Sequence, residues 1–443
     1  MIDSLHKLAG VMSGNKPLRL YAKRLAPNDN SKNQVYLGGG FTVLNIIPHG
    51  NVQADGSKQA GSVRDRAKAA VNFSWVDETG SYPAPNTQLI LYPKYPEVRM
   101  SGFLLGCRNA PSEVMRSRIA DRILFLGVLP DDSVLGFAVF PEHPLAQKIE
   151  ALENHVEVGV FWDLTSAATG KADTKQRLLQ ALRKIHEKSW INSQKIGAQG
   201  VPMPYSARKG GGYTLEAELG ISPNGYADPD YLGWEVKQYG VNSFVTNRAK
   251  GPITLMAPEP TSGEYKDSGV AEFLRRYGYP DRSGIDDRIN FGGVYRIGQE
   301  FHNLTGLALK MSGFDPDTGK ITDMEGSIQL VSRSGSIAAA WNFSGIMDHW
   351  NRKHARAVYV PSMSRKNPPQ YSFGNIVTLC EETDFILFLG AIAAGRLYYD
   401  PGIKMESAGS DSPKIKRRSQ FRIKQIELRD LYAETEDYDL STG

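Results

Sequence analysis

Over roughly the first 165 residues, β-prone runs at 35–37, 88–92, 123–128, 134–140 and 156–161 alternate with turn-formers such as Gly38-Gly39-Gly40 and Pro130-Asp131-Asp132. Short strands punctuated in this way predict an all-β barrel or sandwich with long connecting arms. The period then changes. Between Thr174 and Trp190, the apolar residues Leu178, Leu179, Leu182 and Ile185 recur at helical spacing with charges opposite them, which predicts an amphipathic helix. The Ser-, Ala-, Thr- and Gly-rich stretch before it reads as a linker. The expected division is therefore a front domain at 1–165, a linker at 166–173 and a second domain at 174–443. From Asn192 onward strand and helix patterns mix, as in an α+β or α/β core.

Composition narrows this only a little. A chain of 443 residues is long enough for two domains. Its formal charge of +4 neither demands nor excludes nucleic acid, because a basic cleft can be balanced by an acidic back. Cys107 and Cys380 form no CxxC pair, which argues against a disulfide framework and a zinc ribbon. The apolar patch at 8–12 gives way at once to Asn15, Lys16 and Arg19, so it lacks a signal peptide's apolar core. The apolar stretch at 385–394 is about half the length of a membrane span and reads as buried core. The expectation is a soluble, cytoplasmic protein without a membrane partner.

The chemistry concentrates between residues 210 and 237. Gly210-Gly211-Gly212 leads into Tyr213-Thr214-Leu215-Glu216; Pro223-Asn224 marks a turn; Pro229-Asp230 is followed by Gly233-Trp234-Glu235-Val236-Lys237. On a strand, Glu235 and Lys237 point to one face, and a tight turn at Gly233 would bring the Asp230 carboxylate beside Glu235. Two converging carboxylates repel unless a cation sits between them, and all-oxygen ligation selects a hard ion, Mg²⁺ or Mn²⁺. A neighbouring lysine suits the orientation of an attacking water and the charge of a phosphate. The D-x4-E-x-K string alone fits a solvated hairpin equally well. Its setting, with a Gly-rich lead, a helix carrying Glu216 and the two turns in order, favours phosphodiester hydrolysis.

That order resembles the MvaI/BcnI group of restriction endonucleases and the mismatch-repair nickase MutH, which share the PD-(D/E)xK nuclease fold. The resemblance implies an α/β catalytic domain in which Asp230, Glu235 and the Val236 carbonyl hold the metal. It implies Lys237 as the water-activating residue and Glu216 as a further acidic residue near the metal, with Glu218 pointing into solvent. It extends to Gly251-Pro252-Ile253-Thr254-Leu255 and to the tail around Phe421-Arg422-Ile423, covering about 250 residues from near 174 onward. Residues 315–320 and 407–412 read as inserted loops. In this resemblance Trp350 to His354 and Ala357-Val358-Tyr359-Val360 are the DNA-reading segment. Asp348, His349, Arg352, Lys353, His354 and Arg356 supply groups that pair with guanine and cytosine edges; the same charges also fit a solvated helix face.

In the front part, Tyr21-Ala22-Lys23-Arg24-Leu25-Ala26-Pro27-Asn28-Asp29 and the segment from Arg108 to Arg118 resemble the two DNA-gripping arms of the EcoRII effector domain, a B3-like pseudobarrel. On that resemblance Lys23, Arg24, Asn28, Asn30, Asn33, Arg108, Arg116 and Arg118 combine phosphate clamping with base readout. A β-barrel with incidentally basic loops is the plainer alternative. An EcoRII-like effector domain before an MvaI-like nuclease is the layout of type IIE restriction endonucleases. It implies a monomer that binds two copies of a CCWGG-like site in double-stranded DNA and cuts with Mg²⁺. A site-specific nickase and a non-catalytic B3-type DNA-binding protein are the rival readings.

Overall fold

The structure, a computed structural model, describes residues 2–14, 16–27, 33–59, 62–63, 66–152, 156–170, 174–197, 200–207, 210–221 and 229–442. They form two compact units, Met1–Arg177 and Leu178–Gly443.

The front unit is built on two sheets. The strands of these two sheets are β1 (Arg19–Leu25), β2 (Val35–Gly39), β3 (Gln53–Ala54), β4 (Ala67–Ala70), β5 (Phe73–Val76), β6 (Ser81–Pro83), β7 (Gln88–Tyr92), β8 (Glu97–Ser101), β9 (Arg122–Val128), β10 (Val134–Val139), β11 (Val156–Val158) and β12 (Phe161–Asp163). One sheet runs β11-β12-β1-β9-β10-β5-β6, the other β2-β8-β7-β4-β3. Every residue of β9 is buried, as befits a central strand with both faces covered. Three helices, α1 (Leu5–Ser13), α2 (Ser112–Arg116) and α3 (Pro144–Glu150), join the strands. Leu8 and Met12 of α1 and Leu145 and Ile149 of α3 pack with Leu20, Ala22, Ile123 and Phe125 in one apolar core.

The stretch read as linker is partly structured. Its first residues form α4 (Thr165–Thr169), which ends on Gly170 in the left-handed conformation that glycine favours. Ala168 is buried in the front unit's core, so α4 belongs to that unit. Residues 171–173 lie outside the described residues.

The second unit opens on the expected helix, α5 (Thr174–Glu187), with Leu178, Leu179, Leu182 and Ile185 buried. The strands that bear on the site are β13 (Ile191–Asn192), β14 (Gln194–Ile196), β15 (Pro202–Pro204) and β16 (Glu235–Gly240). Helix α6 (Gly210–Glu218) lies between the last two. Later in the chain come α7 (Phe343–His354), β17 (Arg356–Arg365), β18 (Gln370–Phe373), β19 (Ile376–Glu381), α8 (Phe385–Ala393) and β20 (Glu434–Asp439). The central sheet runs β13-β18-β17-β19-β20, and β16 pairs parallel with β17, Glu235 opposite Ala357 and Lys237 opposite Tyr359. Flanked on both sides, β17 is buried from Ala357 to Ser362. Ala357, Val358, Tyr359 and Val360 are therefore core residues and do not read DNA, a correction to the expectation from resemblance.

The apolar stretch at 385–394 is helix α8, capped by Asp384 and packed through Phe388 on Trp350. Ile253–Met256 pairs with Phe421–Ile423, which draws the tail back onto the strand following β16. Of the two stretches expected to be inserted loops, 315–320 is the turn of a two-stranded ribbon. The other, 407–412, is tied down where Ala408 and Gly409 donate to Asp287. Among the described residues no helix is long and apolar enough to cross a membrane.

Candidate active site

The site is assembled where the first long strand of the second unit leaves a tight turn. Tyr231 and Trp234 exchange both backbone hydrogen bonds, at 2.9 and 2.8 Å, across a two-residue loop of Leu232 and Gly233. Both loop residues have positive φ, 52° and 85°, the geometry of a type I′ turn. This turn carries the chain from Asp230 back to Glu235. The Asp230 Oδ2 accepts a 3.1 Å hydrogen bond from the Val236 N–H and is thereby fixed at the start of β16.

Glu235 is fully buried. Its Oε1 faces the Lys237 ammonium, and Lys353 Nζ lies 3.4 Å from the same oxygen. Among the described residues Oε2 is buried without a hydrogen-bond partner. Burial pushes the Glu235 carboxyl up to about 7, Asp230 adds to the rise, and the two lysines oppose it. The Glu216 carboxyl is also raised, first by burial and then by Asp230, with Lys237 and Lys353 pulling the other way. Three acids and two lysines thus share one electrostatic neighbourhood.

Helix α6 holds Glu216 there through close packing. Its three glycines lie inside the helix rather than ahead of it. A Cβ on Gly210 would come within 2.3 Å of Ser193 Oγ, and one on Gly211 within 2.8 Å of Gln238 Oε1 on β16. Buried Thr214 donates to the Gly210 carbonyl at 2.7 Å and accepts from the Gln194 N–H at 3.2 Å, locking the helix against β14. Glu218 is not solvated as expected. It accepts from Lys188 at 2.5 Å and from Gln194 at 2.6 Å. The turn expected at Pro223-Asn224 lies outside the described residues.

Among the described residues no group of three or more His, Cys, Asp or Glu is gathered at ligand spacing. Two carboxylates, one with an unpartnered buried oxygen, still suit an ion that takes one or two protein carboxylates and fills its shell with water and phosphate, as Mg²⁺ does. They do not form a cage of the kind that holds Zn²⁺. Val236, between Glu235 and Lys237, is buried.

The expected DNA-reading residues of α7 separate into different roles. His354 is fully buried, its ring nitrogens 3.0 Å from the Tyr432 hydroxyl and 3.2 Å from the Leu255 carbonyl, so it reads no base. Trp350 and Asn351 are buried as well. Arg356 faces Glu381 at 3.4 Å and lies over the Trp234 ring. Arg352 pairs with Asp348 one helical turn back at 2.9 Å. His349 is half-buried and depressed to about 4, by burial first and then by Lys353 and Lys237, so its imidazole is neutral near pH 7. Lys353 belongs with the carboxylates.

In the front unit, Arg24 is committed within the chain, against the expectation of an open DNA contact. Both Glu150 oxygens lie 2.5 Å from its Nη2, and its guanidinium sits over Trp162. Lys23 is half-buried near the Tyr36 ring, and burial lowers its pKa. Arg108, Arg116 and Arg118 are exposed. Asn33 has positive φ at 47°, while Asn28 and Asn30 lie outside the described residues. The residue that sequence reasoning missed is Arg122. It is buried and donates to the carbonyls of Ile119 at 2.6 Å, Val114 at 2.6 Å and Ala26 at 2.7 Å, fastening both expected arms to β9.

The family model of the MvaI/BcnI restriction endonucleases matches residues 179–432, more than half of the chain. The chain belongs to the MvaI/BcnI restriction endonuclease family. Among solved structures it is similar to the MvaI–cognate DNA substrate complex, at 16% identity and a TM-score of 0.46, covering 60% of this chain and 99% of that one. It is also similar to MvaI in the absence of DNA, at 17% identity and a TM-score of 0.34, covering 60% and 98%. No curated protein matches the chain. The matched region contains the turn, β16, α6 and α7, so the acids and lysines lie inside the restriction endonuclease part.

Proposed function

We propose that this member of the family is a Mg²⁺-dependent type II endonuclease that hydrolyses both strands of double-stranded DNA at a short CCWGG-like site, with Mn²⁺ able to replace Mg²⁺. The observation that carries the reading is Glu235: a fully buried carboxylate with an unpartnered oxygen, next to Asp230 and facing Lys237. A buried acid left short of partners is costly to folding and points to a partner that arrives later.

Asp230, Glu235 and the Val236 carbonyl are the proposed metal ligands. A divalent cation bound there would supply Lewis-acid polarisation of the scissile phosphate and a lowered pKa for its water. Lys237 orients the attacking water and offsets charge on the phosphate. Glu216 is a further acid beside this centre, tuning its charge.

For the front unit the proposal is an EcoRII-like, B3-type effector domain that binds a second copy of the site, the type IIE layout seen in UbaLAI-type enzymes. Exposed Arg108, Arg116 and Arg118 beside an arm secured by Arg122 support it. The chain acts as a monomer in this reading. Incubating supercoiled plasmid with Mg²⁺ or with EDTA tests the whole. Linear product that needs Mg²⁺ is expected. Lasting nicked circles would make the protein a nickase, and untouched DNA in both arms would overturn the endonuclease reading.

A further inference from the structure

Lys353 stands on a different element from the catalytic motif and points into it. It lies in the last turn of α7, far along the chain from β16, yet its Nζ is 3.4 Å from Glu235 Oε1. Lys237 faces the same oxygen from two residues away on β16. One carboxylate thus meets two ammonium groups, and both lysines are largely shielded, at 21% and 19% exposure. The helix leaves little choice in the matter. Trp350, Asn351 and His354 anchor the last turn of α7 in the core, with Trp350 bonded to Thr383 and His354 to Tyr432 and Leu255. Lys353 is carried on a rigid support.

A positive charge at contact distance from a metal ligand opposes the approach of a second cation. The same charge offsets part of the buried Glu235 charge when no cation is there. We infer that Lys353 is the internal counter-ion of Glu235, a positioning residue that a divalent cation must displace to enter the site. This role rests on the proposal that Glu235 is a metal ligand. It differs from that of Lys237, whose place beside Glu235 is set by the strand they share and not by a separate helix.

The test is Mn²⁺ binding to the full-length protein without DNA, followed by the electron paramagnetic resonance signal of free Mn²⁺. Wild type, Lys353→Gln, Lys353→Arg and Glu235→Gln are compared, each with its thermal unfolding curve in EDTA and in Mn²⁺. Lys353→Gln is expected to bind Mn²⁺ about tenfold more tightly or better, the lower end of what one adjacent charge does to a carboxylate. Lys353→Arg keeps the charge and should keep wild-type affinity. In EDTA, Lys353→Gln should unfold at a lower temperature than wild type, and Mn²⁺ should restore more of that loss than it adds to wild type. Equal Mn²⁺ affinity in wild type and Lys353→Gln, with Glu235→Gln weakened, would overturn the counter-ion role and leave the metal site standing. If Glu235→Gln binds Mn²⁺ as wild type does, the proposed metal site itself fails, and the counter-ion role falls with it.

Discussion

Glu235 and Arg122 are both charged side chains buried in the core of their units, and the protein treats them in opposite ways. Arg122 is engaged at each of its three guanidinium nitrogens: backbone carbonyls accept from them at 2.6 to 2.7 Å, and each belongs to a segment that must be held in place. Glu235 is left short, with lysines crowded at one oxygen and nothing at the other. A buried charge with all its bonds made holds a fold together, whereas one with bonds missing costs stability and is retained for a use. The contrast points to structure for the first and chemistry for the second, although in the sequence each is a charged residue bordering an apolar stretch.

The sharpest way to break the contrast is to remove the chemistry while the fold stays. Asp230→Ala and Lys237→Ala should each lower the DNA cleavage rate by roughly a thousandfold or more, the scale expected when part of a metal-and-base centre is lost. DNA binding, measured by mobility shift in Ca²⁺ or EDTA, should persist. A variant that cuts at near the wild-type rate would remove this motif from the mechanism.

Next in size is the effect on stability, where the two residues should part company. Arg122→Met removes three charge-assisted hydrogen bonds from a buried guanidinium to backbone carbonyls and is expected to cost about 3 kcal/mol or more of the front unit's stability. Arg122→Lys should rescue little of it, because an ammonium cannot reproduce the guanidinium fork. Glu235→Gln removes an under-satisfied buried charge and should leave the thermal midpoint equal to or above that of wild type in EDTA, while abolishing cleavage. A large loss of stability in Glu235→Gln would mean that the carboxylate is structural after all.

The pH dependence carries the same contrast with a definite sign. The Glu235 carboxyl titrates near 7 in the folded, metal-free protein, above the usual range for an unfolded glutamate. Between about pH 4.5 and 7 the folded state therefore holds more protons at this site than the unfolded state does, and its contribution to stability declines as pH rises. Below that window the contribution is complete; above it, lost. Thermal unfolding in EDTA should show a shallower decline from pH 5 to 7 in Glu235→Gln than in wild type. Identical slopes would mean that the site does not titrate in this window.

The juxtaposition of Asp230, Glu235 and Lys237 in the candidate site was legible because its geometry is local. The period-two spacing of Glu235 and Lys237, and the short span back to Asp230 around Gly233, are written in consecutive residues. The partner strand was not, since β17 comes far along the chain and its parallel pairing depends on everything folded between. Its unbroken apolar run did carry a signal, as a strand flanked on both sides reads that way. His354 could have been placed too. Phe343, Ile346, Met347, Trp350 and His354 lie on one helical stripe, and the histidine at its end is buried with the rest. The direction of Lys353 and the commitment of Arg24 to Glu150 depend on distant elements, and no local pattern records them.

The smallest expected effect lies in the front unit, and it decides what that unit is for. The D-x4-E-x-K string occurs once in the sequence, so a monomer with one such site would meet the two strands of a duplex one at a time. Cleavage of both then passes through a nicked intermediate and a reorientation on a nearly palindromic site. An effector domain occupied by a second copy of the site would hold the protein near its DNA through that slow interval, raising the effective concentration of the partly cut site. A plasmid with two sites should therefore be linearised a few-fold faster than one with a single site, and a short duplex carrying the site should change the single-site rate. Replacing Arg108, Arg116 and Arg118 together with alanine should bring the two-site rate down to the single-site rate. Arg24→Ala should do less, because its guanidinium is already engaged by Glu150. Equal rates on one-site and two-site plasmids with wild-type protein would reduce the front unit to a simple anchor on DNA. Loss of two-site stimulation in Arg24→Ala as complete as in the triple variant would mean that the Arg24–Glu150 pair opens when DNA binds, so that a contact closed in the free protein becomes part of the grip.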